Sequence, residues 1–137
     1  MELRKVVLRY LDGQVVRAYA PLFEEGSDPI PAADISGVPL FVPLSGLKAV
    51  FFVRTFTGNP DYDVPMAIET STTKGSGRLV MVRFRDGERV LGEIHEKTDT
   101  DKGFYLTVLD PEDNNLLVYI NPASLVGPPS SRDEPAS

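Results

Sequence analysis

Cysteine and tryptophan are absent from this sequence, and its 137 residues include a single histidine. Without thiols, disulfides, thiolate metal sites and a cysteine nucleophile are excluded. The one histidine, His95, offers too little material for a metal centre or a catalytic triad unless other groups converge on it. The composition therefore predicts a protein without metal or cofactor and without enzymatic activity.

Long hydrophobic runs are also missing. No apolar stretch approaches the roughly 20 residues that a bilayer-spanning helix requires. The charged start, residues 1–5, leads into alternating residues instead of the apolar centre of a signal peptide. These features predict no membrane insertion and a cytoplasmic location in a bacterial-type cell.

Positive charge is scarce as well, and the net charge is −6. Residues 1–56 carry six basic and six acidic side chains, whereas residues 78–126 carry six basic and nine acidic ones. Proteins that bind nucleic acids usually present a basic surface to the phosphates. A nucleic-acid partner is therefore not expected.

An internal repeat organises the chain. Residues 6–18 align with residues 80–92 at an offset of 74, and both segments contain an Arg-aromatic-x-Asp-Gly pattern. Residues 42–50 resemble residues 118–126 at an offset of 76. The small change in offset predicts a duplicated unit, with the first copy in residues 1–56, a connector in 57–77, the second copy in 78–126 and a disordered tail in 127–137.

Each copy is predicted to consist of short strands, because valine and aromatic residues alternate with charged residues in a period of two. Asp12-Gly13 and Asp86-Gly87 predict tight type I′ hairpins. Gly92, on the inner face of a strand, predicts either a bend or a close approach of backbone. Prolines in residues 27–34 predict that the third strand of the first copy is shortened or lost.

Two units of this size have small cores, so they are expected to pack against each other. The apolar segment Val64–Ile68 of the connector is predicted to supply that contact.

The repeated unit resembles the Sm-like and SH3-like small barrels. The matching features are the V-x-V-x-hydrophobic-x-Asp-Gly opening, the hydrophobic-x-Gly-x-Ile return and a short turn before the last strand, as in Val80, Val82, Gly87 and Gly92. The whole chain resembles an uncharacterised bacterial family with paired units of this type. The resemblance implies a mainly β fold of two tandem small barrels with little helix.

RNA binding, which Sm-like proteins often show, is only half supported by the corresponding positions. Asp99 and Asp101 lie where these proteins place an acidic RNA-contacting loop, but Asn121-Pro122 and Ser45-Gly46 replace their basic-glycine step. RNA binding is therefore the less favoured of the functions that the resemblance implies.

Two groups of residues are candidates for a binding surface. Arg9, Arg83 and Arg85 are predicted to point outward from strands, either as a recognition face or as ordinary surface charge. Phe52 and Arg54 predict either an aromatic and cationic patch of the kind found at interfaces or simple core packing.

The leading functional hypothesis is a non-catalytic adaptor or regulatory module that binds another protein or associates with itself through exposed strand edges. The alternative is a domain that senses a small anionic, nucleotide-like ligand through Arg54, Arg78 and Arg83. A hydrolase built on Asp99, Asp101 and His95 is the third possibility.

Overall fold

The computed structural model describes residues 2–57 and 77–131. The connector segment Val64–Ile68, which the sequence predicts to join the two units, lies outside the described residues.

The fold is mainly β, as the sequence predicts. All ten strands belong to one antiparallel sheet in the order β10-β6-β7-β8-β9-β5-β1-β2-β3-β4. The described residues include two short 3₁₀ turns, one at Leu44–Gly46 before β5 and one at Pro122–Ser124 after β9. The strands are β1 (Arg4–Tyr10), β2 (Val15–Ala20), β3 (Ile30–Ala33), β4 (Pro39–Val42), β5 (Leu47–Val53), β6 (Arg78–Arg83), β7 (Arg89–Ile94), β8 (Phe104–Thr107), β9 (Asn115–Ile120) and β10 (Ser130–Ser131).

The two halves of the sheet share one order of strand pairing. The β1–β2 hairpin corresponds to the β6–β7 hairpin, and the β3–β4 pair to the β8–β9 pair. Tyr10 pairs with Leu47 in the first half, and Phe84 bridges to Leu125 in the second. The offset is therefore 74 at the start of the halves but 78 at their ends, and the predicted closing offset of 76 is wrong. The β8–β9 connection accounts for the difference, because nine residues separate the paired Thr107 and Leu117, whereas five separate the paired Ala33 and Pro39.

The hairpin turns use glycine differently from the prediction. Gly13 and Gly87 have φ values of 92° and 95°, but neither Asp12 nor Asp86 has a positive φ. A type I′ turn requires positive φ at both central residues, so that prediction is wrong. Instead, each aspartate accepts a hydrogen bond from the backbone N–H two residues on, at 2.9 Å, and the glycine alone takes the left-handed conformation.

The third strand of the first half is present, contrary to the sequence-based prediction. Strand β3 pairs with β4 over four residues, from Ile30–Val42 to Ala33–Pro39. On its other side it pairs with β2 only at Tyr19–Ala33. Pro31 is tolerated because its missing N–H lies on this sparsely paired side.

Two hydrophobic cores lie on opposite faces of the central strands. Alternate residues of β5 enter different cores, so that Phe51 packs with Val82 and Phe84 in the second core while Phe52 packs with Leu8 in the first. β9 divides in the same way, since Val118 faces the second core and Tyr119 the first. The halves are thus joined both by the β5–β9 ladder and by side chains shared between the cores.

The close approach predicted at Gly92 is confirmed. A Cβ atom there would lie 2.3 Å from both Leu106 Cδ2 and the carbonyl oxygen of Thr107. Further along, Ser130 and Ser131, which the sequence analysis places in a disordered tail, pair with Met81 and Val80 of β6. Among the described residues no helix is long and apolar enough to cross a membrane.

Candidate partner-binding edge

Among the strands of residues 2–57 and 77–131, β4 lies at one end of the sheet and pairs only with β3. Its side chains alternate, as those of a half-buried strand do. Val42 is buried and Leu40 packs partly against the first core, whereas Pro39 and Phe41 face outward. The opposite long side of β4 is therefore an open strand edge next to an exposed aromatic ring.

Three large apolar side chains are exposed on β4 and on the loop that precedes it, and we call them the edge surface. Phe41 is 71% exposed, Ile35 68% and Val38 54%. The loop that carries Ile35 and Val38 is held by Asp34, whose Oδ1 accepts hydrogen bonds from the N–H groups of Ser36 and Val38, each at 2.9 Å. The edge surface is thus presented by a hydrogen-bonded loop and a strand.

The equivalent strand in the second half has the opposite environment. Val42 pairs with Ile30 as Ile120 pairs with Phe104, so Phe41 corresponds to Tyr119. Tyr119 is fully buried, because β9 is paired with β5 and the ring packs in the first core against Phe23. The same aromatic position therefore lies in a core where its strand has a neighbour on both sides, and in solvent where the strand ends the sheet.

The positions of proline show which backbone groups β4 offers. Pro31 pairs with Phe41, and Pro39 pairs with Ala33. A proline cannot donate, so neither pair exchanges two hydrogen bonds, and the bonded pairs are Ile30–Val42 and Ala32–Leu40. The N–H and C=O of Phe41 and the C=O of Pro39 consequently point away from β3, toward the open edge.

Two tyrosines, the partly buried Tyr105 and the buried Tyr119, hold the segment that leads into β3 and thereby position the edge. Tyr105 donates a hydrogen bond to the carbonyl of Phe23 at 2.7 Å, and Tyr119 donates to the carbonyl of Ser27 at 3.0 Å. Burial raises the pKa of each hydroxyl to about 12. Both hydroxyls therefore stay protonated and act as donors at neutral pH.

The arginines singled out in the sequence occupy separate positions. Arg9 is exposed on β1, with its guanidinium carbon 5.5 Å from the ring centroid of Phe51. Arg83 is exposed at the end of β6, and Arg85 donates from Nε to the carbonyl of Ala123 at 3.0 Å. Since β1 and β6 are not neighbours in the sheet, these arginines do not form one continuous row. A recognition face on each half stays a prediction.

The residues proposed to hold an anion do not gather. Arg78 and Arg83 lie at opposite ends of β6, which also places them on opposite faces of that strand. Arg54 donates from Nε to the carbonyl of Asp113 at 3.1 Å and so holds the β8–β9 loop. Phe52 is buried in the first core, which confirms the packing alternative for this ring and removes it from the accessible surface.

The junction of the two halves is fastened by a buried cation. Lys48 Nζ lies 2.7 Å from Asp86 Oδ2, also contacts Glu88, and lies 4.6 Å from the ring centroid of Phe84. The hydrogen bond from Lys48 is the largest cause that lowers the pKa of Asp86 below its usual value. The Asp86-Gly87 turn predicted from the sequence thus also anchors the second hairpin to β5.

His95 lines a cavity of about 350 Å³ together with Glu25 and Glu93. Asp99 and Asp101, the other residues of the predicted hydrolase site, are not among the residues that line it. Asp99 instead accepts the N–H of Asp101 at 2.9 Å within its own turn. The part of the chain that the structure describes holds no group of three or more histidine or carboxylate side chains arranged for a metal ion.

Comparison with known proteins gives a family but no activity. Residues 2–127 match a family of unknown function, DUF6982. The chain belongs to this family. No curated protein and no solved structure matches it significantly. Membership agrees with the expectation of an uncharacterised family, and it assigns no activity to the chain.

The edge surface was not among the candidates found in the sequence. Its signal is the run Pro39-Leu40-Phe41-Val42-Pro43, in which two prolines flank a very short apolar strand. Prolines on both sides are typical of a strand at a sheet edge. An exposed phenylalanine within such a strand indicates a contact surface.

Proposed function

We propose that this protein is a non-catalytic adaptor or regulatory module that binds a partner protein along the open edge of β4. One observation carries the proposal. Phe41 is 71% exposed beside a strand edge that no other described strand pairs with, whereas its equivalent, Tyr119, lies on a strand paired on both sides and is fully buried. The two halves thus provide the same strand with and without a partner.

Physical chemistry favours the addition of a strand at such an edge. Unpaired N–H and C=O groups are a template for another chain, and side chains beside them supply specificity. Burial of one phenylalanine side chain contributes about 1.5–3 kcal/mol. Aromatic residues are also enriched at protein interfaces. Backbone pairing and the apolar edge surface would therefore act together.

The proposal includes the finer fold assignment made from the sequence. Shared pairing order, an Asp-Gly hairpin in each half and a 3₁₀ turn in each half support two tandem Sm-like or SH3-like units. A bacterial cytoplasmic protein that works through contacts with other proteins is consistent with its acidic composition.

The test is site-specific photo-crosslinking in the cells that make the protein. A photoreactive phenylalanine analogue replaces Phe41, and covalent adducts are identified by mass spectrometry. The proposal predicts a discrete protein adduct that depends on illumination.

Val15, another exposed apolar residue in a strand, provides the matched control position. The analogue at Val15 should give no such adduct. If the analogue at position 41 yields nothing beyond the background seen at position 15, the edge does not bind a partner and the proposal is wrong.

A second candidate, an anionic small-molecule sensor, is favoured by one cavity. This cavity, of about 250 Å³, is lined by Arg9 and Asp113, by apolar residues that include Phe51 and Phe56, and by the polar Asn114. Nucleotides and phosphorylated metabolites at millimolar concentration should then raise the melting temperature, and Arg9→Gln should remove the effect. An unchanged melting temperature with all of these compounds would eliminate this candidate.

A further inference from the structure

We propose that the occupant of the β4 edge is an extended, proline-free and basic segment of another protein, and not a second copy of this chain. This inference rests on the proposed function and names the chemistry of its partner. Three features of the described residues carry it: the backbone groups at the edge, the sequence of the opposite end of the sheet, and the charge around β3 and β4.

The open edge offers more acceptors than donors. Phe41 presents one N–H and one C=O, and Pro39 presents only a C=O. A partner strand with ordinary residues can satisfy all three groups by giving two N–H groups and accepting one. Proline in the partner would remove one of those donors, so a proline-free segment fits best.

A second copy of β4 fits this pattern poorly. Antiparallel pairing about Phe41 would set Pro39 of one copy opposite Pro43 of the other. Pro43 has no N–H, so the carbonyl of Pro39 would stay without a hydrogen bond at both ends of the pair. Burial of such a group without a partner costs about 1–3 kcal/mol.

Head-to-tail association of copies is also disfavoured, even though the internal joint provides a pattern for it. In that joint β9 pairs with β5, and the counterpart of β5 in the second half is segment 125–131, which pairs with β6. This segment contains Pro128 and Pro129, which cannot donate along its length. Its outer edge therefore does not reproduce the edge that β5 offers to β9.

The side-chain contacts of the internal joint are missing at the outer edges too. Asn121 Nδ2 donates to the carbonyls of Leu44 and Leu47 at 3.1 and 2.8 Å, and Ser124 Oγ donates to the carbonyl of Lys48 at 2.9 Å. The residues at the corresponding positions of the first half are Pro43 and Gly46, which have no side-chain donors. The sequence thus supports the one joint between the two halves and does not support a further joint of the same kind between copies of the chain.

Charge selects the kind of segment that fits. Residues 21–46, which contain β3 and β4, include four carboxylates and no lysine, arginine or histidine. Glu25 contacts the second half, where its carboxylate accepts the N–H of Tyr105 at 2.7 Å. Within the described ranges, the ion pairs do not include Glu24, Asp28 or Asp34. A segment that alternates apolar residues with lysine or arginine would cover Phe41 and meet these carboxylates.

The experiment uses the full chain labelled with ¹⁵N and three synthetic peptides of equal length. One alternates valine with lysine, the second replaces every lysine by glutamate, and the third replaces the central valine of the first by proline. The lysine peptide should shift the amide resonances of residues 38–42. The glutamate and proline peptides should bind at least about tenfold more weakly than the lysine peptide. Added salt should lower the affinity of the lysine peptide.

Two variants and one measurement of mass separate the possible failures. Phe41→Lys should abolish binding of the lysine peptide, whereas Val15→Lys should retain it.

Light scattering should give a monomer for the isolated chain. A dimer that Phe41→Lys dissociates would overturn this inference, because the occupant would be a second copy, yet it would leave the proposed function standing. Equal binding of the lysine and glutamate peptides, or shifts away from β4, would also overturn it. An absence of adducts in the crosslinking test at position 41 would instead reject the proposed function.

Discussion

Strands β4 and β9 occupy equivalent places in the two halves of this protein, yet one ends the sheet and the other lies in its middle. Their aromatic residues show the consequence. Phe41 is exposed, and Tyr119 is buried between the halves with its ring 4.6 Å from that of Phe23. The comparison teaches that the tertiary surroundings, and not the strand's own sequence, decide whether such a ring lies in a core or in solvent.

The strongest test of this comparison replaces each of the two aromatic residues by alanine. Tyr119→Ala should lower the free energy of unfolding by about 3–5 kcal/mol, because it empties a packed site and removes the hydrogen bond to Ser27. Phe41→Ala should change it by less than about 0.5 kcal/mol. Urea denaturation measures both. Similar losses for the two variants would mean that Phe41 is already packed in the isolated chain.

The next comparison concerns position 92 and its equivalent, Ala18. Gly92→Ala would place a methyl group 2.3 Å from the carbonyl oxygen of Thr107, and we expect a loss of about 1–3 kcal/mol in the free energy of unfolding. The reciprocal Ala18→Gly should cost about 1 kcal/mol, through backbone entropy and a lost methyl group. A neutral Gly92→Ala variant would show that β7 and β8 are not as close as described.

A smaller effect is expected at the junction of the halves. Lys48→Met keeps the apolar stem but removes the charge that contacts Asp86 and Glu88. Both carboxylates are partly exposed and can be solvated again, so the expected loss is only about 1 kcal/mol. Arg4→Met, which breaks the exposed pair with Glu2, is the matched control and should cost less than about 0.5 kcal/mol. Equal losses for the two variants would mean that the ion pairs of Lys48 stabilise the fold no more than an exposed surface pair does.

The smallest effect is the pH dependence of that junction. The pKa of Asp86 is lowered in the folded chain, so its contribution to stability is present above its ordinary value of 3.8 and is lost as the pH falls through the lowered value. In Lys48→Met the largest cause of this shift is absent. Melting temperatures measured from neutral to strongly acidic pH should therefore converge for the two proteins below pH 3.8. A constant difference would contradict the assignment.

Much of the fold could be predicted from local sequence. Alternation identified the buried faces of β1 and β6, and the shared Asp-Gly turns identified the two halves. The type of turn could not be settled in this way, because Asp-Gly is compatible with more than one hairpin conformation. The prediction that the third strand of the first half is shortened or lost was wrong, because a proline disrupts a strand only where a backbone N–H at its position would have to bond a neighbouring strand.

The candidate site depended on information that a single sequence holds only weakly. Phe51 and Phe52 look alike by alternation with their neighbours, and the joining of β5 to β9 is what buries both. In the same way, the exposure of Phe41 follows from the position of β4 at the end of the sheet. Strand order between distant segments is a tertiary property, so the sequence alone indicates the exposed arginines but not the edge of β4.

Hydrogen exchange at two equivalent amides tests the central claim most directly. In the isolated chain the N–H of Tyr119 should exchange slowly, because its strand is paired on both sides, whereas the N–H of Phe41 should exchange fast because it faces an open edge. Addition of the alternating valine–lysine peptide should slow exchange at Phe41 and leave Tyr119 unchanged. Strong protection of Phe41 in the dilute isolated chain would show that its edge is already occupied, and would contradict the account.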